Sequence, residues 1–173
     1  FPIAPFDVSA QLVVLDPTRV DGFSLSAANE IHIVVPGVVA GPTTDGTFVT
    51  VTPSLAPLYC PASIPFYGVN HTQMHVTTYG RVQFGSNPDP LDWSATATEA
   101  LFDNPMIGCW ADFSINLSGT ISITAPAPNT IRVTYANIAY YGNPTLLSNF
   151  YLEVDAATSI VTISGILSFA PFI

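Results

Sequence analysis

Gly119-Thr120-Ile121-Ser122-Ile123-Thr124 sets isoleucine at every second position, with hydroxyl side chains between. A period of two puts the isoleucines on one face of an extended strand and the hydroxyls on the other, the mark of a half-buried β-strand. Ile131-Arg132-Val133-Thr134-Tyr135 repeats the pattern a few residues on. Toward the C-terminus, residues 150–154 and 159–163 predict a hairpin across Asp155-Ala156-Ala157-Thr158, and residues 165–172 form a last apolar stretch. Toward the N-terminus, strands are expected over residues 8–15, 30–35, 47–52, 73–76 and 80–84, with Pro, Gly and Asp at their ends. Residues 107–113 read as one apolar, buried strand. The only helical signal is residues 93–102, where Ala95, Ala97, Glu99, Ala100 and Leu101 favour a helix that Ser94 caps. Many short strands and at most one short helix predict an all-β fold, an antiparallel sandwich of the jelly-roll or Ig-like kind.

The composition agrees and narrows the function. Of 173 residues, 49% are apolar, enough for a core, and only 9% are charged. Hydroxyl side chains take over the work of keeping the surface wet. The cations are Arg19, Arg81 and Arg132 alone, against 12 acids, for a net charge of -9. Three scattered arginines make no cationic stripe for nucleic acid and no polybasic membrane patch. No apolar run is long enough to span a bilayer. One sandwich domain over residues 1–173 is expected. The four prolines between Pro53 and Pro65 are the one seam, read as parting an N-terminal strand group from the rest of that sandwich. Phe1-Pro2-Ile3-Ala4 is read as a mature N-terminus whose signal peptide has been removed, which predicts an extracellular, secreted or cell-surface chain.

Cys60 and Cys109 fit neither a zinc pattern nor a C-x-x-C redox motif. In a secreted chain they most simply pair; in a cytosolic one they are two buried thiols. The expectation taken forward is an intrachain disulfide pinning the Pro-rich segment to the core.

From Ile64 onward four blocks stand in order. Ile64-Pro65-Phe66-Tyr67-Gly68 leads to Tyr79-Gly80-Arg81-Val82-Gln83-Phe84-Gly85. Then come Ile107-Gly108-Cys109-Trp110-Ala111-Asp112-Phe113 and residues 131–141. Last is Ser148-Asn149-Phe150-Tyr151-Leu152-Glu153-Val154 with Ile160-Val161-Thr162-Ile163. Over residues 64–165 this resembles the nidogen-like extracellular domain. Tyr135 stands where that family usually has Trp, and Cys109 where it often has Phe. The resemblance implies a β-rich module of secreted and surface proteins and no catalytic centre.

Candidate chemical sites are thin. His71 and His75, four apart, share a face if they share a strand, but no third metal ligand is evident. Asp89, Asp92 and Asp103 fall in and near one loop without a D-x-D-x-D-G calcium pattern. Ser114 and Ser118 lack a G-x-S-x-G elbow, and Glu30, Glu99 and Glu153 lie on separate elements. No catalytic residue, metal or cofactor is therefore assigned. Asn70 and Asn116 head glycosylation sequons, permissive for a secreted chain.

The feature that points to a job is the apolar N-terminal stretch. Phe1, Ile3, Phe6, Val8, Leu12, Val13, Val14 and Leu15 stand together with a single charge, Asp7. Such a segment needs cover, and residues 1–15 are expected to supply it by adding a strand to another copy. The first reading is thus a secreted structural subunit that self-assembles into a filament or surface layer. The alternative is a monomeric adhesion module that binds a surface protein or a glycan, with Tyr140-Tyr141-Gly142-Asn143 as a stacking loop.

Overall fold

The computed structural model describes residues 37–55, 58, 60, 63–85 and 105–168, together with the backbone of four strands between residues 6 and 33. The chain divides into two compact units, Phe1–Val35 and Pro36–Ile173. In the first, β1 (Phe6–Ala10) pairs antiparallel with β4 (Asn29–Ile33), and β2 (Val13–Leu15) with β3 (Phe23–Leu25). The single strand expected over residues 8–15 is thus two, in two separate sheets.

The second unit is built on two antiparallel sheets. The smaller has the order β11-β10-β9-β6, from β6 (Phe48–Val51), β9 (Met74–Thr77), β10 (Arg81–Phe84) and β11 (Met106–Gly108). The larger has the order β16-β15-β14-β13-β5. Its strands are β5 (Val38–Ala40), β13 (Thr120–Thr124), β14 (Thr130–Tyr140), β15 (Asn143–Asp155) and β16 (Ile160–Ile166), and the short β12 (Phe113–Ser114) also pairs with β14. A separate hairpin joins β7 (Ile64–Phe66) to β8 (Val69–His71). No helix occurs among the described residues, and the helix expected over residues 93–102 lies outside them.

The period-two reading holds where it was strongest. Ile121 and Ile123 of β13 face Tyr135 and Val133 of β14 in register, and these four side chains are buried. On β15 the alternate residues Phe150, Leu152 and Val154 continue the same inner face. Opposite them lie Val51, Met74, Val76, Val82, Phe84 and Ile107 of the smaller sheet, all in one core. Tyr135 ties the two layers together. Its ring stacks on Phe150 at 4.6 Å, and its phenol donates across the sandwich to the Thr77 carbonyl at 2.9 Å. Complete burial pushes that phenol far above its ordinary pKa, so it stays a donor.

The apolar run 107–113 is not one strand. It leaves the smaller sheet after Gly108 and enters the larger at Phe113, so residues 109–112 cross between layers. Its hydrophobicity is that of a chain crossing a core edge. Further along, β14 carries a bulge between Tyr135 and Ile138. There Asn137 takes φ 52°, and its amide N–H donates to Asn149 Oδ1 at 2.9 Å. The extra residue bends β14 so that β13 serves it before the bulge and β12 after.

The segment between Pro53 and Pro65 lies within the second unit, with Leu58 and Cys60 in the core and the Cys60 amide bonded to the Pro53 carbonyl. The division of the chain falls instead at Val35/Pro36. Cys60 and Cys109 are both free, which corrects the expected disulfide. Burial raises both thiols, Cys60 to about 11 with a smaller push from Asp155.

Candidate assembly edge

β16 is the longest edge strand of the second unit among the described residues. On one side it pairs with β15 from Ile160↔Asp155 to Ile166↔Asn149. On the other side no described strand meets it, so its outward amide and carbonyl groups are open to a partner. Seven residues make an edge about 23 Å long.

Its side chains are unusual for an edge in water. Val161, Ile163 and Gly165 stand opposite Val154, Leu152 and Phe150, on the inner face. Leu152 is 1% exposed, while its neighbour Ile163 is 48% exposed, so at this pair the core ends at β15, although Val161 still packs against it. On the outer face Ile160 is 60% and Ile166 71% exposed, with Thr162 and Ser164 between them. From residue 156 to residue 167 there is no charged side chain. Natural edges are usually blunted by lysine, proline, a bulge or brevity. β5 at the opposite edge is three residues long and runs into Gly41 and Pro42, but β16 carries none of these guards apart from a kink at its end. That kink is Gly165, at φ 139°, followed by Ser168, whose N–H donates to Ser148 Oγ at 2.9 Å and turns the chain back onto β15.

The turn feeding β16 is firmly made. Asp155 Oδ1 accepts from the N–H of Ala157 at 2.8 Å and of Thr158 at 3.3 Å, and these bonds hold its carboxyl below the usual range. The inner neighbour β15 carries Glu153 on its outer face, where Arg132 pairs with it (Nε to Oε2 2.7 Å) and lies over the Tyr151 ring at 4.4 Å. The one cation near this edge is therefore already engaged.

No family model, curated protein or solved structure matches the chain. The site must be judged on its geometry.

The other candidates resolve into structural roles. His71 and His75 fall on different strands, β8 and β9. His75 is buried with Nδ1 on Thr50 Oγ1 (2.9 Å) and Nε2 on the Gly85 carbonyl (2.8 Å), while His71 packs against Phe84. Among the described residues no three His, Cys, Asp or Glu side chains converge on a metal position. Ser114 donates to Asp45 Oδ2 at 2.6 Å, and Asp45 Oδ1 accepts from the amides of Ile115 and Asn116, so Asp45 clamps that turn to the β5–β6 loop. Composition alone gave no signal for Asp45. Asp112 is raised by burial and then by Asp45. Ser118 accepts the Ala139 amide through its carbonyl. Asn70 and Asn116 are exposed. The aspartates Asp89, Asp92 and Asp103, and Glu99, lie outside the described residues, and Glu30 is placed only as a member of β4.

Of the expected assembly residues, Phe6 and Val8 fall in β1 and Val14 in β2, while Phe1, Ile3 and Leu12 lie outside the described residues. β1 already has one partner in its own chain, β4. Ile160, Ile163 and Ile166 were not singled out from the sequence. Their signal is there: apolar residues at both odd and even positions in an uncharged stretch, which no one-sided strand needs.

Proposed function

We propose that the chain is a secreted structural subunit that assembles with copies of itself into an extracellular filament or surface layer by pairing strands between subunits. The observation that carries this is β16: an uncharged edge, open along one side, with isoleucines exposed on both faces. Left bare, such an edge recruits any strand it meets. An assembling subunit puts that property to use, and a net charge of -9 restrains pairing elsewhere on the surface. The extracellular part of the reading draws on the nidogen-like resemblance over residues 64–165. The reading assigns the chain no reaction and no cofactor. Sedimentation velocity with negative-stain microscopy tests it: long or large species growing with concentration support assembly, and an 18.4 kDa particle at every concentration refutes it.

A second reading, a monomeric adhesion module for a surface protein or glycan, draws on two hairpin tips. Tyr67 is 79% exposed at φ 48°, a conformation a bulky residue seldom holds without cause, and Tyr141 is 63% exposed. Glycan binding by a persistently monomeric chain, lost in Tyr67→Ala or Tyr141→Ala, would favour it.

A further inference from the structure

Resting on the assembly reading, we infer that the occupant of the β16 edge is the β1–β4 ribbon of a second copy, joined through the free side of β1. Among its described residues the first unit, Phe1–Val35, has two two-stranded sheets, and its sequence holds no cysteine. A two-stranded ribbon is at best marginal in water, and a unit of this size without a staple or metal needs a surface to lean on. Register supplies the match. Positions 6 and 8 share a side of the ribbon with positions 33 and 31, and the sequence sets Phe, Val, Ile and Ile there. Positions 7, 9, 30 and 32 share the other side and carry Asp, Ser, Glu and His.

β16 has the complementary halves. On its inner side Val161 packs against the core while Ile163, 48% exposed, stands past its end; its outer side carries Thr162 and Ser164. Adding β1 beside β16 continues the inner apolar layer with positions 6 and 8 and leaves Asp7 and Ser9 on the wet side. The five residues of β1 fit within the seven of β16. Charge allows the approach: between two copies of net charge -9, residues 156–167 bring no charge, and the acids of the ribbon, Asp7 and Glu30, stand at positions on its other side from 6 and 8. Under the assembly reading the ribbon comes from a second copy. The contact joins unlike surfaces, so each copy offers both halves and the contact repeats from copy to copy.

The test is a cross-link between two differently tagged full-length populations, one Val8→Cys, the other Ile163→Cys, mixed before assembly and oxidised. Unsubstituted chain, with Cys60 buried and Cys109 half-buried, is the background, and far-UV circular dichroism verifies each variant's fold. A mixed-tag disulfide dimer, formed only when both variants are present, is the expected result. Three results overturn the inference while leaving assembly standing: polymer without that cross-link; Ile163→Cys linking to itself, which means β16 pairs with β16; or linkage only when both cysteines share one chain, which means the ribbon docks at home. Ile163→Lys should abolish polymer without loss of fold. If unsubstituted chain never assembles, the assembly reading itself fails.

Discussion

Gly165→Ala should destabilise the second unit and loosen β16 from β15. Gly165 holds φ 139°, a region that residues with a Cβ rarely enter. A Cβ built there would sit 2.2 Å from the Asn149 carbonyl oxygen and 2.4 Å from the Phe150 Cα, both backbone atoms of β15. Neither is the tip of a flexible side chain, so the strands must part or the local backbone must rotate. The conformational cost alone is about 1–3 kcal/mol. Relief of the clash adds to it by breaking pairing at Ser164 to Ile166, for a total of about 2–4 kcal/mol. For a unit of this size that lowers Tm by roughly 5–15 °C. Thermal melts by circular dichroism measure the loss, and hydrogen exchange by mass spectrometry locates it at residues 160–166. A Tm within a degree of the parent, with unchanged exchange in β16, would refute the close approach and with it the placement of this edge.

Tyr135→Phe removes the donor that reaches Thr77 across the sandwich, while Arg81 O keeps its bond from Thr77 Oγ1, so a loss of about 1–2 kcal/mol by chemical denaturation is expected. Intact-mass analysis after alkylation in denaturant should count two free thiols, and in the native state both should react slowly because burial raises them, Cys60 to about 11. Asp112→Asn should stabilise the chain at neutral pH: burial and then Asp45 raise the folded carboxyl above its unfolded value, so its charge opposes folding. That penalty is full above the folded pKa and fades as pH falls toward the unfolded value, so melts at pH 7 and pH 4 should show the gain shrink.

The strands easiest to read were those with one wet and one dry face. β13 and the first half of β14 keep a strict alternation because one side of each meets the core, and burial follows it residue by residue. The run 107–113 misled because alternation and hydrophobicity are local, whereas leaving one sheet for the other depends on which partner each half finds. Cys60 and Cys109 misled for a like reason: a separation in sequence carries no distance, and both thiols are free. For the site, the sequence marked assembly at residues 1–15, by their run of apolar side chains with a single charge, but not the open edge. β16 reads as an ordinary hairpin arm until the core is seen to end at Leu152, one strand short of Ile163.

The central claim is that β16 is an edge built to be covered by another copy. Amide hydrogen exchange over residues 160–166, followed by mass spectrometry on dilute and on concentrated full-length chain, tests it most directly. The account predicts that the amides of β16 turned away from β15 exchange freely in dilute solution and become protected, together with those of residues 6–10, as larger species form. Free exchange of those β16 amides in fully assembled material, or protection already complete in an 18.4 kDa monomer, would contradict it.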